Sequence, residues 1–225
     1  MIILINKPYL ENSMHKLLLL LVSLTAPVFA QSTDTVRIVH KNYTTVFSKS
    51  LKYPLLVEWW DTKDKILCKN PLPRTDKFLP DPQLPKESDL GKDYVGSGFD
   101  RGHMSPAADN RCSGKDILEE AFYFTNMVPQ PHSLNAGDWK SVETMTRQLV
   151  ETDDSIHVWS GAIGDAQHIK GLVIPTKNWK VLYSPKTKTW WAYIFDNVNT
   201  KPIGMAQHIV KVEDVEKLTG FKFKK

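Results

Sequence analysis

Residues 68–90 read CKNPLPRTDKFLPDPQLPKESDL and contain five prolines. Proline fixes φ and has no backbone donor, so this stretch cannot form the interior of a helix or a central strand. It is expected to be a long, stiffened surface segment, the kind of loop that often carries function. The chain before it reads as strands. VRIVHKNYTTVFS and LKYPLLVEWW are rich in β-branched and aromatic residues, with Tyr43 and Phe47 expected to point inward and Pro54 tolerated near a strand start. After it, EEAFYFTNMVPQ reads as a buried strand or turn ending at a polar site. NAGDWKSVETMTRQLVE reads as a helix with Val142, Met145 and Leu149 on one side. IHVWSGAIG and GLVIPTKNWKVLYSPKTKTWWAYIFDN supply three or four strands, and VEDVEKLTGF a short closing helix. The expected class is α+β, a mostly antiparallel sheet core with flanking helices.

The first thirty residues read differently. From Met14, MHKLLLLLVSLTAPVFA has a short basic start, an apolar run over residues 17–24, and Val28 and Ala30 as small residues before a cut. This is the pattern of a secretory signal peptide cleaved between Ala30 and Gln31, with Met14 as the expected true start. The run is shorter than the roughly 20 residues a membrane span needs, although a retained anchor is the alternative. Residues 31–34 are expected to be a loose leader and residues 31–225 the folded domain. An exported chain, secreted or periplasmic, permits disulfides. Cys68 and Cys112 allow one bridge or two free thiols, and sequence cannot set their distance. Composition is ordinary for a globular protein at 41% hydrophobic and 24% charged, and a formal charge of +4 is compatible with an anionic partner without requiring one.

Residues 96–110, GSGFDRGHMSPAADN, place an acid, a fixed cation, a glycine and an imidazole at Asp100, Arg101, Gly102 and His103. Alone, this is equally a polar surface turn. A second polar set lies on the helical segment, where Asn135, Trp139, Glu143 and Arg147 recur four apart and form one stripe. Taken singly, Asn135 reads as an N-cap and Glu143–Arg147 as a solvated ion pair. Lys115, Lys140 and Lys180 read as exposed charges that would widen an electropositive face.

DRGH, followed by Pro106 and then by TNMVPQPHSLNAGDWKSVE, resembles the signature blocks of the DNA/RNA non-specific endonucleases, ββα-metal (His-Me finger) nucleases of the Serratia-type and endonuclease G-like kind. PRTDKFLPDPQLP resembles the family's arginine-bearing loop, and GLVIPTKNWKVLY and WWAYIFDN its closing strands, so the likeness runs from about Tyr43 to the C-terminus. The resemblance implies His103 as general base and Asn135 as the one direct protein ligand of a divalent metal, Mg2+ or else Mn2+ or another. It implies Glu143 as the acid holding the metal's waters. Asn126 would fix geometry near the histidine, and Arg101, Arg147 and Arg74 would lie near the scissile phosphate. Asp100 would be structural, and no second histidine is expected to be tied to the site. DNA and RNA are the implied substrates, cut to 5′-phosphate products without use of the 2′-hydroxyl, and relatives allow a homodimer. The competing readings are an inactive nucleic-acid-binding domain of the same fold and a phosphodiesterase of narrower range.

Overall fold

The computed structural model describes residues 34–224. The expected signal peptide lies outside the described residues. Among these residues eleven strands and six α-helices follow in chain order, with three short 3-10 turns between them. The first half holds β1 (Thr35–Val39), β2 (Tyr43–Ser48), β3 (Tyr53–Thr62), α1 (Lys63–Ile66), α2 (Gly91–Tyr94), β4 (Asp100–His103), α3 (Lys115–Glu120) and β5 (Met127–Gln130). The second holds α4 (His132–Asn135), α5 (Asp138–Asp153), β6 (Ser155–Ile163), β7 (Gln167–Ile169), β8 (Leu172–Ile174), β9 (Lys177–Ser184), β10 (Thr189–Asp196), β11 (Ile209–Val210) and α6 (Val212–Thr219).

Seven strands form one antiparallel sheet in the order β1-β2-β3-β6-β9-β10-β11. Alternation along the strands divides its side chains between two faces. On the inner face Val57, Trp59, Val158 and Leu182 pack with Trp139, Val142 and Val150 of α5. On the outer face Trp159, Trp179 and Val181 pack with Val212 and Val215 of α6 and with Phe223 beyond it. The α+β expectation therefore holds. Tyr43 and Phe47 are buried as expected, and Pro54 sits opposite Phe47 beside a register shift in β2. Between Cys68 and Leu90 the chain forms no helix or strand beyond an isolated bridge, Leu79 to Tyr123.

One expectation changes, and two of the alternatives open to single residues do not hold. Asp34 is not loose: its carboxylate accepts from Ser48 Oγ at 2.6 Å and from the Ser50 amide at 2.8 Å. DRGH is not a surface turn but β4, paired antiparallel with β5. Asn135 does not cap the long helix. It closes the separate α4, while Gly137 occupies the N-cap position of α5.

Candidate active site

The β4–β5 hairpin sets His103 opposite Met127 and Gly102 opposite Val128. A Cβ on Gly102 would lie 2.1 Å from Gln130 Oε1 and 2.5 Å from its Cδ, and Gln130 is fully buried. The glycine of DRGH is thus required by close packing across the hairpin. Five hydrogen bonds fix the strand and the turn after it beyond the β-ladder. Trp139 Nε1 donates to the His103 carbonyl at 3.2 Å, and the Met104 amide donates to the Asn126 carbonyl at 2.9 Å. The Asn126 side chain accepts from the Ser105 amide at 2.9 Å and donates to the carbonyls of Ser105 and Ala121 at 2.9 and 2.8 Å. Asn126 is buried and clamps the turn after His103; it does not line the pocket.

The His103 ring is 8% exposed, lies edge-on to Phe122 at 5.1 Å and packs beside Phe78 at 5.6 Å. Burial, then the neighbouring Arg74 charge, lower its pKa to about 3. The imidazole is therefore neutral near pH 7, and its buried Nε2 has no hydrogen-bond partner among the described residues.

Asn135 Nδ2 donates to Asp100 Oδ2 at 2.9 Å. The amide nitrogen donates to Asp100, so this bond fixes the amide's orientation, and the carbonyl oxygen of Asn135 has no hydrogen-bond partner among the described residues. His132 Nδ1 sits 2.8 Å from the same Asp100 oxygen. A second histidine is therefore tied to the site at one remove, against expectation; it is 80% exposed at the side chain. Its sequence signal was its position three residues before Asn135, on one helical turn.

Glu143 and Arg147 do extend along α5 into the same pocket, but they are not a solvated pair. Arg147 Nη1 bonds Asp109 Oδ1 at 2.9 Å, and Glu143 faces Lys180 Nζ at 3.8 Å. Lys180 is not an exposed charge. It is 1% exposed, and its ammonium lies 4.1 Å from the centre of the Trp139 ring. Asp61 completes this buried cluster, accepting from Trp59 Nε1 at 2.9 Å. Burial, and then the proximity of Asp109, push the Asp61 carboxyl well above its ordinary range. Burial also raises Asp109 and Glu143, opposed by Arg147 at Asp109 and by Lys180 at Glu143.

Arg101 stacks over Phe78 at 5.0 Å and Tyr94 at 5.3 Å. Arg74 comes from the proline-rich segment, pairs with Asp76 and lies 5.6 Å from the Phe122 ring centre. That segment is tethered by a Cys68–Cys112 disulfide. Arg74, Arg101, His103, Asn135, Glu143 and Arg147 all line one pocket of about 260 Å³, with Lys140 at its edge. Four clefts, of about 560, 570, 540 and 390 Å³, are larger; the third adjoins this pocket at Ala136 and Lys140, and none of the four contains His103.

A free amide oxygen and one carboxylate facing the same pocket suit a cation that keeps most of its own water, as magnesium does. They do not suit a cage of protein ligands, and among the described residues no group of three His, Cys, Asp or Glu could hold a metal.

Comparison with known proteins agrees with this geometry. The family model described as DNA/RNA non-specific endonuclease matches residues 23–225. The chain is 31% identical over 178 residues to the human protein named "Nuclease EXOG, mitochondrial", covering 65% of this chain and 46% of that protein. It is 29% identical over 204 residues to "Nuclease" of Serratia marcescens, covering 84% and 74%. The chain thus spans about half the length of the human mitochondrial relative. A crystal structure of an EndoG/EndoGI complex superposes with a TM-score of 0.74 at 22% identity, over 83% of this chain and 84% of that one, and shares the fold. On the match to nearly its whole length, this chain belongs to the DNA/RNA non-specific endonuclease family.

Proposed function

We propose that the chain is a divalent-metal-dependent endonuclease that hydrolyses phosphodiester bonds in DNA and RNA and leaves 5′-phosphates. The observation that carries this reading is convergence. Five side chains, Arg74, Arg101, Asn135, Glu143 and Arg147, meet in one pocket with a neutral, buried histidine whose Nε2 has no partner among the described residues. That nitrogen takes the proton from an attacking water. An imidazole held near pKa 3 is a weak acceptor. A bound phosphodiester offsets the Arg74 charge, one of the two causes that lower it, and so raises its basicity. Arg74, Arg101 and Arg147 give fixed donors to the phosphate oxygens. Asn135, oriented by Asp100, and Glu143 would hold a hydrated Mg2+ or Mn2+ ion. When bound, that ion supplies Lewis-acid stabilisation of the phosphate charge and of the departing 3′ oxygen. Asn126 and Trp139 act on position only, by fixing the backbone at His103 and in the turn after it.

Contacts aimed at phosphate carry no base identity, and no assigned role involves the 2′-hydroxyl, which supports action on both polymers. We place the protein outside the cytosol, secreted or periplasmic. The signal-like sequence of residues 14–30 and the disulfide both support that location. Among the described residues no helix is long and apolar enough to cross a membrane. The test is digestion of plasmid DNA and structured RNA by the purified chain with magnesium or EDTA, with end-group analysis. Loss of both polymers only with metal, and 5′-phosphate ends, are expected. Cleavage of RNA alone, or 3′-phosphate ends, contradicts the reading.

A further inference from the structure

The outer face of the large sheet is only partly covered. Beyond the cover of α6 and Phe223, four rings stand at one register level on four adjacent strands. Trp60 of β3 pairs with His157 of β6, His157 with Tyr183 of β9, and Tyr183 with Trp190 of β10. The rings associate as two couples, Trp60 on His157 at 4.1 Å and Tyr183 on Trp190 at 4.4 Å. Trp60 is 41% exposed, and a cleft of about 570 Å³ runs along the row. Trp60 is exposed and the other three rings are half-buried, and such a row along an open cleft suits a ligand with flat apolar faces.

The charges around the row select that ligand. Lys222 lines the cleft, and the Lys224 ammonium lies 5.8 Å from the centre of the Trp190 ring. At the other end Lys65 Nζ donates to the Trp60 carbonyl at 2.8 Å. Glu58 is the single carboxylate lining the cleft, and it is engaged by His157 Nε2 at 2.9 Å. Lys222 and Lys224 reach back to Glu216 and Glu213 of α6, exposed pairs that a phosphate displaces at little cost. A second copy docked through this face would bring cations toward cations, which disfavours self-association here.

We infer that this face is a second binding surface, for single-stranded nucleic acid, with bases stacking on the Trp60–Trp190 row and phosphates meeting the lysines at its two ends. Stacking platforms flanked by cations bind single strands with little sequence preference. The surface lies across the sheet from α5 and the His103 pocket, so it holds the polymer without taking part in hydrolysis and does not depend on cleavage occurring.

The test is binding without turnover, using the His103→Ala chain in EDTA, which separates this inference from the nuclease reading. Fluorescence anisotropy with labelled oligo(dT), and with an abasic oligonucleotide of equal length, would be compared for that chain and for versions also carrying Trp60→Ala or Trp190→Ala. Each tryptophan substitution is expected to weaken oligo(dT) binding about tenfold, a typical loss for one stacked base, and to leave abasic binding unchanged. Unchanged oligo(dT) binding overturns the inference. So does a fall in molecular mass by light scattering on substitution, which assigns the face to a second copy. Should a variant fail to fold, radical footprinting of the His103→Ala chain decides. Protection of Trp60 and Trp190 by oligo(dT) but not by the abasic strand supports the platform, and equal or absent protection contradicts it.

Discussion

Gly102 shows how one residue carries both packing and chemistry. Its α-hydrogens face the buried Gln130 side chain, which leaves no room for a methyl group. Gly102→Ala should therefore open the β4–β5 hairpin and move His103. Overpacking of this kind costs about 1–3 kcal/mol. A lower denaturant midpoint together with a loss of cleavage greater than the loss of folded protein is the expected outcome. At the same scale, the residue types of the pocket were legible before the structure. The resemblance of DRGH, of the block from Asn135 to Arg147 and of the loop bearing Arg74 singled out His103, Asn135, Glu143 and the arginines, and each lines the pocket. What was not legible is which charge answers which. Glu143 and Arg147 sit at ion-pair spacing in sequence, yet Arg147 goes to Asp109 and Glu143 faces Lys180. Those partners come from other segments of the chain, and spacing along one helix carries no information about them.

At the scale of elements, the buried cluster ties α5 to β3, β9 and the turn after β4. Lys180 was misread because β9 is covered on both faces, so its sequence NWKVLY shows no alternation to mark an inward lysine. Parity with Leu182 places it on the inner face. Asp61 and Asp109 make the cluster sensitive to pH. The carboxyl of Asp61 is raised above its unfolded value of 3.8, so the folded chain keeps a proton that the unfolded chain releases. That contribution is full below about pH 4 and is lost as pH rises through the folded pKa. Asp61→Asn stays neutral throughout. The variant should therefore gain stability relative to the parent as pH rises from about 4 through the folded pKa, read as a growing difference in Tm. A difference that is flat or falls with pH contradicts the cluster as described. The breaks between elements were also hidden. The NAGDW stretch looked like one helix start, but α4 and α5 are separate, and this break lets Asn135 turn to Asp100 while Trp139 enters the core.

Across the whole molecule, the proline-rich segment was correctly read as a surface path, and its prolines explain why it adds no strand to the sheet. Its anchoring was left open by sequence, since two cysteines do not reveal their distance; the disulfide joins residues 44 apart. Loop closure of this size contributes about 2–4 kcal/mol by restricting the unfolded chain. Replacing both Cys68 and Cys112 by Ser should lower unfolding free energy by about that amount. It should also raise KM more than it lowers kcat, because Arg74 rides on the tethered segment while His103 is held by the hairpin. An equal fall in kcat would place the disulfide's influence on the chemistry itself. The central claim concerns His103, and the most direct measurement is the single-turnover rate of plasmid and RNA cleavage in magnesium for the parent and for His103→Ala. Both activities are expected to fall together by at least about 100-fold, the lower end of what a positioned general base supplies, in a variant that remains folded. Retention of either activity near the parent rate would contradict that claim.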